Sequence, residues 1–239
     1  MMTENITKRL RKLGNKRKAA ISRRFFKTGP GEYGEGDIFI GIRVPELRKL
    51  AKEYHDLPIE EIENLLQSQI HEERLLALFI LVGVFSKADD AMRKSLYELY
   101  LKNTKFINNW DLVDASAEHI IGAYLMDKSK KPLYLLAQSK NMWERRISIM
   151  ATFYFIKQHE FSETLKIAKI LLLDREDLIH KAVGWMLREI GKRHQKTEEF
   201  FLKAHYNRMP RTMLRYAIEK FPETKRQQYL KGRMEINDG

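Results

Sequence analysis

A chain of 239 residues with 44% hydrophobic content can bury the core of one domain or of one continuous repeat array. Lys and Arg outnumber Asp and Glu by 44 to 32, giving a formal charge of +12 and a pI near 9.7, which favours a polyanionic partner. The absence of cysteine excludes disulfides, thiolate metal sites and a cysteine nucleophile.

A basic helix is expected over residues 1–27. Lys8, Arg9, Arg11, Lys12, Lys16, Arg17, Lys18, Arg23, Arg24 and Lys27 run without an acidic residue among them, either as a solvated face or as a contact for a polyanion. Read as an arm, it could lose residues 1–23 without loss of the fold. The stretch KTGPGEYGEGD follows; its four glycines and Pro30 predict a loop over 28–37. From 38 to 232 helical periodicity dominates, and only Ile38-Phe39-Ile40 is strand-like. Pro45 and Pro58 each open a helix. Further helices are expected over about 71–86, 89–103, 109–127, 131–139, 142–158, 161–173, 176–193, 197–208, 210–221 and 223–232. No stretch reaches the roughly 18 apolar residues of a membrane helix, and the start lacks a signal-peptide core, so a cytoplasmic protein is expected. The seven histidines form no metal-ligand spacing, and neither metal nor cofactor is expected.

Repetition accounts for this layout better than a bundle. Arg74, Arg146 and Lys181 occupy comparable helical places at intervals near multiples of 35 residues. That period fits an all-α, HEAT-like solenoid of paired helices, whose stacking leaves one concave face. The three tryptophans each share a helical face with a charge: Trp110 with Asp114, Trp143 with Arg146, and Trp185 with Lys181 and Arg188. Each could be core with a snorkelling neighbour. Together, on a basic repeat protein, they predict a groove with aromatic faces for sugars, cations for phosphates and one carboxylate.

In FFKTGPGEYGEGDIFIGIRVPELRKLAK, NNWDLVDASAEHIIGAYL, WERRISIMATFYFI, KAVGWMLREIGKR and MPRTMLRYAIEKFP, taken in order from about Arg24 to Tyr229, the chain resembles the DNA alkylation repair (AlkD-like) family. The resemblance implies a HEAT-like superhelix that holds duplex DNA in its groove and removes N3- and N7-alkylated purines; a monomer without cofactor is expected. Association with the nucleoid would follow from the DNA binding. Family residues carry over to Trp110, Asp114, Arg146, Trp185 and Arg188. Some relatives lack the aspartate or its tryptophan partner and are thought to bind DNA without excision; this sequence keeps both.

One carboxylate suits that chemistry. Sugar glycosidases commonly use two, one of them to protonate the leaving oxygen. A cationic alkylpurine leaves as a neutral base without that proton, so the remaining tasks are to stabilise positive charge at C1′ and to place water. Asp114 is assigned both tasks, Trp110 and Trp185 the sugar, and Arg146, Arg188 and Lys181 the phosphates. Two rivals remain: a non-catalytic module for damaged or branched DNA, and a scaffold that binds protein segments along its groove.

Overall fold

The computed structural model describes residues 2–233, and all its regular elements are helical. Among the described residues no strand forms, and Ile38 and Ile70 make one isolated parallel bridge. The chain divides into two compact units, the first ending at Tyr124 and the second beginning at Leu125.

The first unit contains α1 (Met2–Leu13), α2 (Lys16–Phe25), α3 (Val44–Glu53), α4 (Ile59–Leu66), α5 (His71–Lys87), α6 (Asp90–Lys102) and α7 (Trp110–Asp114). Every residue of α5 from His71 to Leu81 is buried, so this helix forms the centre of the core and packs against α3, α4, α6 and α7. Pro45 lies in the first turn of α3, where its missing N–H is no loss, and Glu46 accepts from the Arg43 N–H at 3.0 Å.

The N-terminal basic stretch is not the single solvated helix expected from its charge. It breaks at Gly14–Asn15: Asn15 caps α2 by accepting from the Lys18 N–H at 3.0 Å, and its own N–H donates to the Ile40 carbonyl at 2.8 Å. Ile6 and Leu10 are fully buried, α1 packs on α4, and Arg9 pairs with Glu53 at 2.7 Å. Residues 1–23 therefore supply Ile6, Leu10 and Ala19 to the core, which speaks against reading the stretch as a dispensable arm. Leu13 and Ile21 do stay exposed, and α2 buries only Ala19.

The irregular segment also runs past Asp37 to Arg43. Its end is captured by Glu72, whose carboxylate accepts from the N–H groups of Ile40, Gly41 and Ile42, the closest at 2.7 Å. These main-chain donors satisfy a buried charge that would otherwise be costly. The helix expected over 109–127 divides into α7, a π-turn at Glu118–Gly122 and α8 (Ala123–Leu125).

The second unit contains α9 (Lys131–Ala137), α10 (Met142–Ala151), α11 (Phe153–Lys157), α12 (Ser162–Ile170), α13 (Asp177–Arg193), α14 (Gln195–His205), α15 (Arg211–Ala217) and α16 (Glu223–Leu230). The helix expected over 142–158 breaks at Thr152, whose hydroxyl donates back to the Ile149 carbonyl at 2.7 Å, a bond that bends helices. Here α13 takes the central place, packing against α10, α14 and α15. Gly184 permits the approach of α15, since a Cβ there would lie 2.4 Å from the Met213 carbonyl oxygen.

The repeat is written in a recurring clasp. Arg74 Nη1 donates to the Ser68 carbonyl at 3.0 Å, Arg145 Nη1 to the Ser139 carbonyl at 3.0 Å, and the His180 ring lies 2.6 Å from the Asp174 carbonyl, each six residues back. In each case the side chain of the earlier residue also caps the N–H two positions on. The structural counterparts of Arg74 are thus Arg145 and His180, not Arg146 and Lys181. The sequence register was off by one because adjacent basic residues are indistinguishable by charge alone.

Candidate active site

Asn109 starts the decisive helix. Extended and fully buried, it caps the Trp110 N–H at 2.8 Å while its amide donates to Asp37 at 3.1 Å. The five-residue α7 then places Trp110 and Asp114 one turn apart. The indole is half-buried; it stacks on Phe26, with centroids 5.2 Å apart and planes at 25°, and meets Phe25 edge-on at 5.8 Å. Asp114 lines an open cleft of about 970 Å³ together with Arg48, Lys52, Phe79, Gly83, Lys87, Met92 and His119, whereas Trp110 does not. The Arg48 guanidinium lies over the Phe79 ring at 4.3 Å.

Arg48, Lys52, Gly83 and Lys87 escaped the sequence reading. Arg48 and Lys52 stand one helical turn apart on α3, a signal that was legible but is shared by many solvated faces. Gly83 is informative for what surrounds it: it lies inside α5, is exposed, and a Cβ there would meet nothing within 4 Å. Gly83→Ala should therefore stabilise the fold by up to about 1 kcal/mol through helix propensity alone. A melting temperature unchanged or lowered would show that the glycine is needed for packing.

The remaining assigned residues belong to the second unit. Trp185 is half-buried on α13, donates from Nε1 to Glu189 at 3.2 Å and lies tilted against Phe153. Glu189 is buried; burial would raise its carboxyl, but Lys192 and Arg193 outweigh that and hold it below the usual range. Arg188 is ion-paired with Glu219, and Lys181 with Asp177 at 2.7 Å. Arg146 is not the open phosphate grip expected: it is 4% exposed, and Nη1 donates to the Leu178 carbonyl at 2.5 Å, tying α10 to the first turn of α13. Trp143 is likewise core, at 7% exposure.

Beneath α7 lies a polar cluster that no periodicity announced. His71 is buried, with Nδ1 3.0 Å from Asp37 and Nε2 2.8 Å from Asp111. Arg74 donates to the other Asp37 oxygen at 2.6 Å. Burial opposes the charged ring of His71, yet the bonds to Asp111 and Asp37 outweigh it and raise the imidazole above its ordinary value. Burial likewise opposes the Asp37 anion, but His71, Arg74 and Asn109 hold its carboxyl below the usual range. The contacts of the cluster therefore favour the charged form of the His71 ring. Among the described residues no group of three or more potential ligands could hold a metal ion, and no helix is long and apolar enough to cross a membrane.

Comparison with known proteins agrees with this architecture. A predicted DNA alkylation repair enzyme from Enterococcus faecalis has the same fold, with a TM-score of 0.70 at 20% identity over 88% of this chain and 97% of that one. AlkD2 from Streptococcus mutans matches with a TM-score of 0.50 at 18% identity, over 94% and 99% of the two chains. A third structure, smu.31 from Streptococcus mutans UA159, gives 0.50 at 19% identity over 81% and 92%. No curated protein matches the chain. Identities this low speak for the fold alone. The sequence pattern of the DNA alkylation repair enzymes, however, matches residues 6–221, from Ile6 in α1 to the turn that follows α15, and the chain belongs to that family.

Proposed function

We propose that this DNA repair protein is a metal-free glycosylase that hydrolyses the bond between a cationic N3- or N7-alkylated purine and its deoxyribose in duplex DNA. The observation that carries the reading is Asp114, held one turn from Trp110 and lining an open cleft together with Arg48, Lys52 and Lys87. In the reaction the C1′–N bond breaks, and its electron pair neutralises the departing purine. The Asp114 carboxylate stabilises the positive charge left on the sugar. It also orients a water whose oxygen bonds to C1′ and whose proton passes to the carboxylate and on to solvent. The products are free base and an abasic site.

Arg48, Lys52 and Lys87 supply phosphate contacts around the cleft, and α2 carries further exposed cations. Trp185 offers an indole face to a sugar. Arg188 and Lys181 serve phosphates by exchanging Glu219 and Asp177 for them, while Arg146 secures α13. The test is incubation with duplex containing N7-methylguanine and chromatographic detection of free base. No release, together with salt-sensitive binding to the same duplex, would leave a binding module instead. Arg188→Ala should lower the slope of log affinity against log salt by about one phosphate contact. An unchanged slope would leave Arg188 as a structural partner of Glu219.

A further inference from the structure

We infer that buried His71 is a positioning residue for base excision, acting as an imidazolium clamp that fixes α7 and so sets the geometry of Trp110 and Asp114. This rests on Asp114 being the reacting carboxylate. The clamp has two arms. One is polar: His71 Nε2 lies 2.8 Å from Asp111, the residue next to Trp110 and three before Asp114 on the same short helix. The other is aromatic: the His71 ring stacks on Phe39 at 4.4 Å and tilts against Phe26 at 5.1 Å, and Phe26 in turn stacks on Trp110. Both routes end on α7, which as a helix of five residues has little hydrogen-bonded strength of its own.

The charges explain why this residue is a histidine. The groups facing it are Asp37 from the irregular segment, Asp111 from α7 and Arg74 from its own helix, with neutral Asn109 bonded to Asp37. A neutral ring carries one N–H and could donate to only one of its two carboxylates, turning a lone pair toward the other. The protonated ring donates to both and balances the cluster. A lysine has no flat face for Phe39 and Phe26, and a glutamine has no charge. Because the folded protein favours the charged ring, the stability it contributes is complete below the ordinary histidine value. It is lost as pH rises through the raised one. Loss of that proton leaves one of the two carboxylates, Asp37 or Asp111, without its donor and weakens the hold on α7, so excision falls toward alkaline pH while phosphate contacts elsewhere persist.

The experiment uses the full chain with alkylated duplex and compares the parent with His71→Gln, Asp111→Asn and Asp114→Asn by single-turnover excision, DNA affinity and melting. In the parent, ring ¹⁵N shifts should show both His71 nitrogens protonated at neutral pH, and a neutral ring there overturns the inference. His71→Gln and Asp111→Asn should each excise roughly 10²-fold more slowly, the scale expected when a reacting group is misplaced by about 1 Å, with DNA affinity within about twofold of the parent. Should His71→Gln fail to fold, the partly exposed Asp111 variant and the parent's ring shifts decide the matter. Parent-like excision by folded His71→Gln or Asp111→Asn, beside an inactive Asp114→Asn, overturns the clamp and leaves the reacting carboxylate in place. Parent-like excision by Asp114→Asn removes the catalytic reading itself.

Discussion

Asp114→Asn should slow release of N7-methylguanine by about 10²-fold or more, comparable to the loss of one preorganised electrostatic group from other active sites. Melting temperature and DNA affinity should stay near those of the parent. The exchange keeps size and hydrogen-bonding capacity and deletes only the charge, so it separates electrostatics from packing. Asp114 is partly exposed at the cleft, and its neutralisation leaves no large void in the core. A structural carboxylate would give the reverse pattern: a lower melting temperature, with the surviving folded fraction excising at the parental rate. Single-turnover kinetics under saturating protein distinguish the two, since only the chemical step is then measured.

Gly41→Ala should strongly destabilise the first unit. The residue has φ of +83°, a left-handed conformation that costs a residue with a Cβ about 1–2 kcal/mol. Space adds to the penalty: the new Cβ would lie 2.2 Å from the Asn15 carbonyl oxygen and 2.5 Å from the Ala19 nitrogen. Both are backbone atoms of the α2 start, so neither can rotate away. Moving the chain at Gly41 also breaks its N–H bond to Glu72 and leaves part of a buried carboxylate unsatisfied. We expect a loss above about 4 kcal/mol, in the range reserved for strain combined with buried polar disruption. Denaturant titration with normal expression and a loss below about 1 kcal/mol would mean that α2 is not held as described. Gly31, equally left-handed but with open space around it, should tolerate alanine better.

Several of these features could be read from residues alone. The all-helical class and most helix positions followed from apolar spacing, because burying one face of each helix is what folds the chain. The pair Trp110 and Asp114 was visible as two unlike side chains one turn apart. What stayed hidden depends on contacts distant in sequence. Ile6 and Leu10 were masked by the cations around them, although two buried apolar residues four positions apart suffice to seat a helix. Arg145 and Arg146 are neighbours with opposite fates, one completing a clasp with Ser139 and Asp174, the other buried against Leu178. His71, Glu72 and Arg74 occupy core positions that an apolar pattern assigns to leucine or valine. Their partners lie in loop residues and in the short α7, with no periodicity to betray them.

Asp37 gives the first unit an order of assembly. It receives bonds from His71, Arg74 and Asn109, residues 34, 37 and 72 positions further along the chain. Helix pairs such as α3 with α5 or α4 with α5 join nearby segments and close small loops, whereas this junction closes a long one, with the greater entropy that implies. During synthesis, α1 to α6 emerge before Asn109 does. Until then Asp37 lacks its last donor, and His71 lacks Asp111 as its second carboxylate. The N-terminal unit therefore completes this buried junction only once the start of α7, which also carries Asp114, has been made.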